Sequence, residues 1–144
     1  MENTIDKRIL SLLREHYIFT LAVTRGNQPW CATCFYIYDE ERNLFIFTSE
    51  EDTRHIRDAV ETGNFLTSGA IALETNMIGK LRGIQFSGTM FKLEGSDLKS
   101  AKKAYLEKFP VARFSTLYLW GIRPDIIKMT DNRLGFGKKL IWHS

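Results

Sequence analysis

The chain has 144 residues, 44% of them hydrophobic and 26% charged, which describes one ordinary globular domain spanning 1–144 and long enough to bury a core. A net charge of +3 suits anionic ligands but is too small to indicate nucleic acid by itself. No apolar run reaches the length of a membrane span, and the polar opening MENTIDKR is not a signal peptide, so a cytoplasmic protein is expected.

The first element is a helix over 5–16. Ile5, Ile9, Leu12 and Leu13 fall on one face, with Asn3 or Thr4 as the cap. A strand over 17–24 follows, then a turn, RGNQP, in which Gly26 and Asn27 tolerate positive φ. The return strand, 30–39, completes a hairpin and carries Cys31 and Cys34. Residues three apart on a strand point to opposite faces, so these cysteines read as free thiols rather than a redox pair or half of a zinc site.

After the EERN turn, Leu44, Phe45, Ile46 and Phe47 form a third strand. It runs directly into a helix over 52–62, marked by Ile56, Ala59 and Val60 and closed by Gly63. The connecting turn holds Thr48, Ser49, Thr53, Arg54 and His55. Two accounts of it stand side by side. Ser49 with Asp52 resembles a capping box, and Glu50, Glu51 and Asp52 suit the positive end of a helix dipole. Alternatively, free amides, hydroxyls and an Arg at a helix N-terminus form an anion site, suggesting a phosphate-bearing ligand that those three acids would oppose.

Further along come a strand over 65–74 weakened by Gly69, a loop over 76–80, and a long strand over 82–94 in which Gly88 suits a bulge or a barrel bend. Ser96 caps a helix through 108, which Pro110 stops. Strands over 113–123 and 125–130 precede the tail. There GFGKK lacks the spacing of a Walker motif, yet glycines beside Lys138 suit an anion nest. Trp142 would either cover an aromatic ring or pack in a closing strand with Leu140. Six or seven strands with hairpin links and three helices imply a mainly β protein, an antiparallel barrel with peripheral helices.

The stretches Thr53-Arg54-His55, Arg82-Gly83-Ile84-Gln85-Phe86, Lys103-Ala104-Tyr105, Phe109-Pro110-Val111-Ala112-Arg113, Asp131-Asn132, Leu134-Gly135-Phe136-Gly137-Lys138-Lys139 and Ile141-Trp142 carry a resemblance. Over essentially the whole chain they resemble the YhbP-like family of small bacterial proteins. Over 17–95 the order of elements is similar to the FMN-binding split-barrel superfamily that includes pyridoxamine 5′-phosphate oxidase. The resemblance implies a split β-barrel homodimer with FMN in a groove between subunits. It places the phosphate at Thr48, Ser49, Thr53 and Arg54, and the flavin ring along the second strand near Thr33. Arg82 and Gln85 open the long strand where the superfamily often contacts cofactor, although solvent-facing strand positions account for them equally well. The oxidases carry a further cation on the second strand, where this chain has Thr33 and two cysteines. The C-terminal Arg-containing signature of the oxidases is also missing, which argues against the vitamin as substrate.

The function so implied is an FMN-dependent oxidoreductase acting on an unidentified small molecule, with His55 and Tyr36 or Tyr38 as candidate proton donors. Two alternatives compete. An aromatic-rich basic barrel could bind single-stranded nucleic acid, against which stands the even spread of Lys and Arg. A split barrel could instead hold haem or a deazaflavin, haem requiring an axial ligand such as His55 or His143.

Overall fold

The computed structural model describes residues 3–144, so Met1 and Glu2, which open the polar N-terminal stretch, lie outside it. The elements in chain order are α1 (Lys7–Glu15), β1 (Ile18–Arg25), β2 (Gln28–Asp39), β3 (Leu44–Thr48), α2 (Arg54–Thr62), β4 (Leu66–Ala72), β5 (Arg82–Lys92), α3 (Gly95–Lys108), β6 (Leu119–Asp131) and β7 (Lys139–His143). Short 3-10 turns cover Ile78–Lys80, Pro110–Phe114 and Asn132–Leu134. All strand pairings are antiparallel, in the order β3-β2-β1-β4-β5-β6-β7, and β3 also pairs with β6. That last pairing closes a ring of β1 to β6. The ring is split along β6, whose first residues pair with β3 and whose later ones pair with β7.

Alternation drives the closure. Phe19, Leu21 and Val23 of β1 point inward, as do Tyr36 of β2, Phe45 and Phe47 of β3, and Ile84, Phe86 and Met90 of β5. Phe86 stacks on Phe45 at 4.1 Å between centroids and on Phe19 at 5.7 Å. Helix α1 plugs one end of the barrel with Ile9, Leu12 and Leu13, and the Tyr36 hydroxyl donates to the Leu13 carbonyl at 2.7 Å. A second cluster seats α3 on the outside of β2 and β3 through Ile37, Ile46, Ala101 and Tyr105. One outward face lacks charge: Ile18, Thr20 and Ala22 on β1, Cys31, Thr33 and Phe35 on β2, and Leu66, Ser68, Ala70 and Ala72 on β4. Among the described residues no helix is long and apolar enough to cross a membrane.

Gly26 (φ 56°) and Asn27 (φ 63°) form the two-residue hairpin turn expected of a twisted β-ribbon. The bulge also falls where Gly88 places it, since the β5–β6 register shifts between Ser87 and Gly88. A Cβ on Gly88 would lie 2.3 Å from the Arg123 carbonyl oxygen. This bulge corrects the reading of 113–123 and 125–130 as separate strands. Pro124 lies opposite Gly88, where the ladder is already irregular, so a residue without an N–H is tolerated and β6 runs through it. Residues 110–114 wind into a 3-10 turn begun by Pro110, and β6 starts only at Leu119.

The helix starts also move. Asp6, not Asn3 or Thr4, caps α1 by accepting from the Arg8 amide. Helix α3 begins at Gly95 with Glu94 at its N-cap, so Ser96 is already inside it.

Candidate functional site

The turn from β3 to α2 is held by the start of β6. The Ser49 amide donates to the Tyr118 carbonyl at 3.0 Å, the Tyr118 amide to the Thr48 hydroxyl at 3.3 Å, and the Trp120 indole to the Ser49 carbonyl at 3.2 Å. With its backbone so fixed, Ser49 is not the helix cap. Its buried hydroxyl lies 2.7 Å from His55 Nε2 and 3.9 Å from the Cys34 sulfur. The N-cap is Thr53, whose hydroxyl donates backward to the Glu50 carbonyl at 2.8 Å and caps no amide. The first turn of α2 therefore has no side-chain acceptor on its amides, which leaves the positive end of the helix dipole open.

Arg54 extends this opening toward β2. Its guanidinium lies 4.0 Å above the Trp30 ring, and its Nε is 3.5 Å from the carboxylate of Asp58, one helical turn on. Asp58 is buried and also faces Arg25 at 3.7 Å. Arg54 thus stands over the end of β2, the strand that carries no cation of its own. Of the three acids in the turn, Glu51 is drawn aside by Lys92 at 2.7 Å, while Glu50 and Asp52 are exposed.

Burial lowers the His55 pKa, so the imidazole is neutral near pH 7. Burial pushes the Cys34 thiol up to about 11, which makes it a poor nucleophile. Cys31 is exposed and Cys34 buried, the opposite-face arrangement that strand geometry requires. Tyr36 and Tyr38 are corrected as proton donors. Both are core residues, and Tyr36 is engaged with Leu13.

Thr48, Ser49, Thr53 and Arg54 come together at this turn, and Thr33 lies outward on neighbouring β2, paired with Thr20. The other expected residues lie elsewhere in the chain. Arg82 pairs with Asp131 at the far end of β6, and its guanidinium reaches Glu15 at 3.5 Å. Gln85 points outward beside Ala70, and Lys138 is exposed at the entry to β7. Trp142 sits in the core at 7% exposure and donates to the Asn3 carbonyl at 2.9 Å, which favours the packing account of the tail. Sequence reasoning missed Trp30 and Asp58. The four-residue spacing of Arg54 and Asp58 is a detectable signal, whereas nothing local joins Trp30 to Arg54.

Beside the turn opens a cavity of about 480 Å³, walled by Phe35, Tyr105 and Phe109, by Thr48 at the end of β3 and by Ser49 just beyond it.

A ring of antiparallel strands split along β6, with a helix entering at the end of the third strand, is the split barrel of the pyridoxamine 5′-phosphate oxidase-like fold. Over 130 residues the chain is 39% identical to the UPF0306 protein YhbP of Escherichia coli O157:H7, covering 90% of this chain and 87% of that protein. The chain belongs to the UPF0306 (YhbP) family. No protein-family profile matches it. Among solved structures, a haem-binding protein from Mycobacterium smegmatis superposes with a TM-score of 0.75 at 17% identity, over 94% of this chain and 55% of that one. A Listeria innocua protein assigned as a pyridoxamine 5′-phosphate oxidase gives a TM-score of 0.65 at 13% identity, over 84% of this chain and 94% of that one. At such identities the likeness concerns the fold.

Proposed function

We propose that the chain is an FMN-binding homodimer that uses the flavin in a redox reaction, with the phosphate at the β3–α2 turn. The observation that carries this is Arg54, set on Trp30 beside a helix N-terminus without a side-chain cap. The donor set fits a phosphate: first-turn amides and a guanidinium already positioned. Bound there, a flavin supplies hydride and electron transfer. This chain's residues orient it, and the neutral His55, through Ser49, holds the turn in shape. Because Ser49 already engages the one imidazole at the turn, flavin is the better reading than haem. The charge-free outer face of β2, β1 and β4 supports the dimer, since an exposed strand surface without charges calls for cover.

Titration of FMN and riboflavin by fluorescence quenching tests the phosphate site. A charged hydrogen bond contributes roughly 1.5–3 kcal/mol, so Arg54→Ala should weaken FMN by about 10- to 150-fold. Riboflavin, lacking the phosphate, should bind weakly to the wild type and respond little to the substitution. Folding should persist, since Arg54 is exposed and Ala favours helix. Equal FMN affinities in the two proteins would remove the phosphate from this turn.

A further inference from the structure

The cavity beside the turn differs from it in character. The turn offers donors for an anion, whereas the cavity sets an aromatic and aliphatic wall beside the neutral hydroxyls of Thr48, Ser49, Ser115 and Thr116. Phe109 meets Phe35 edge-on at 5.5 Å and Tyr105 at a tilt at 5.0 Å, and Val111 and Leu117 continue the wall. Among the described residues lining it, Glu50 is the one acid and there is no cation. The cations nearby in sequence do not line it. Lys108 donates to the His16 carbonyl, lies against Tyr17 and Tyr36 at 4.9 Å each and stands 5.8 Å from the Phe109 ring, while Arg113 stacks on Phe114 at 4.7 Å. A pocket of this size lined by rings suits one planar molecule. Without a lining cation and with a carboxylate at its edge, it would charge an anion a desolvation cost that neutral hydroxyls offset only in part.

We infer that this cavity, built by α3 and the Pro110–Phe114 turn against the β2–β3 edge, is the substrate pocket, and that it takes a flat aromatic molecule bearing no negative charge. As a substrate pocket it rests on the flavin reading, because it shares Thr48, Ser49 and Glu50 with the proposed phosphate turn. Its selectivity does not. Phosphorylated vitamins, nucleotides and aromatic acids are excluded by the same walls that favour neutral or cationic rings.

Three naphthalenes of nearly one shape separate the charges: 1-naphthylmethylamine, 1-naphthylmethanol and 1-naphthoic acid. Calorimetric titration into the full chain, with and without FMN, should rank amine and alcohol at least about tenfold above acid. Glu50→Gln should remove the amine's advantage over the alcohol, about two- to fivefold for an exposed carboxylate, and leave the alcohol unchanged. Val111→Lys, at a position 78% exposed and so harmless to folding, should weaken the amine and strengthen the acid. Phe109→Ala should weaken all three, and circular dichroism checks that it folds.

The acid binding as tightly as the amine, or Val111→Lys leaving all three unmoved, would overturn the pocket. FMN displacing the alcohol competitively would show that the flavin ring occupies the cavity and would overturn its assignment to substrate. If FMN fails to bind while the naphthalenes keep their order, the flavin reading falls, and with it the word substrate, while the charge selectivity stands.

Discussion

Ser49 and His55 form a buried polar pair at the point where a strand becomes a helix, and acid should loosen it. Burial lowers the His55 pKa from its ordinary 6.5, so between about pH 6.5 and that lower value the unfolded chain binds a proton the folded one refuses. Stability therefore falls as pH drops through this window and is level with respect to His55 above it. His16, whose pKa burial also lowers, contributes in the same direction. Urea denaturation at pH 7.5 and pH 5.5 should show the loss, and His55→Gln should lessen the difference without abolishing it. An unchanged pH dependence in His55→Gln would mean that the folded state accepts the proton freely. At this scale the strand-to-helix turn was legible, but Ser49 was paired with the wrong partner. A Ser six residues before a His announces no contact, because what aims the Ser49 hydroxyl at His55 is the anchoring of its own backbone by Tyr118 and Trp120, far along the chain. Trp30 was invisible for the same reason.

Elements were legible where a local rule decides them. The positive-φ pair at Gly26 and Asn27, the stop at Gly63 and the bulge at Gly88 all follow from backbone sterics that one or two residues impose. What escaped was the continuity of β6, because Pro124 reads locally as a break and is licensed only by a glycine on another strand. That pairing gives a sharp test. Gly88→Ala would bring a Cβ to 2.3 Å from a backbone carbonyl oxygen, which cannot swing aside as a side chain would. The cost should be about 3 kcal/mol or more, at the upper end for overpacking. Chemical denaturation of Gly88→Ala should show it. A loss below about 1 kcal/mol would mean that β5 and β6 separate easily at the bulge.

The whole barrel was readable from alternation and hairpin order, and the proposed assembly with a second copy rests on the charge-free outer face of β2, β1 and β4. Ala70 sits within that face, exposed and paired with Thr20. Ala70→Arg places a charge there without disturbing the inner core, so the variant should fold, sediment as a monomer where the wild type is a dimer, and lose FMN affinity if the groove needs both copies. A dimer of unaltered mass in Ala70→Arg would assign the interface to another surface.

The pairing of β3 with β6 has a kinetic consequence. Every other seam of the ring joins neighbours through a hairpin, a helix or one excursion, whereas this one joins residues 45–48 to residues 119–122. A large part of the chain must be threaded between them before that seam yields any hydrogen bonds, so its loop entropy is spent first and recovered last. Hairpins form in microseconds, but chains dominated by distant partners fold in milliseconds to seconds. The β3–α2 turn takes its shape from contacts across that final seam, to Tyr118 and Trp120. The turn proposed to hold the phosphate is therefore among the last parts of the molecule to take its shape, and a nascent chain still lacking β6 lacks the contacts that fix it.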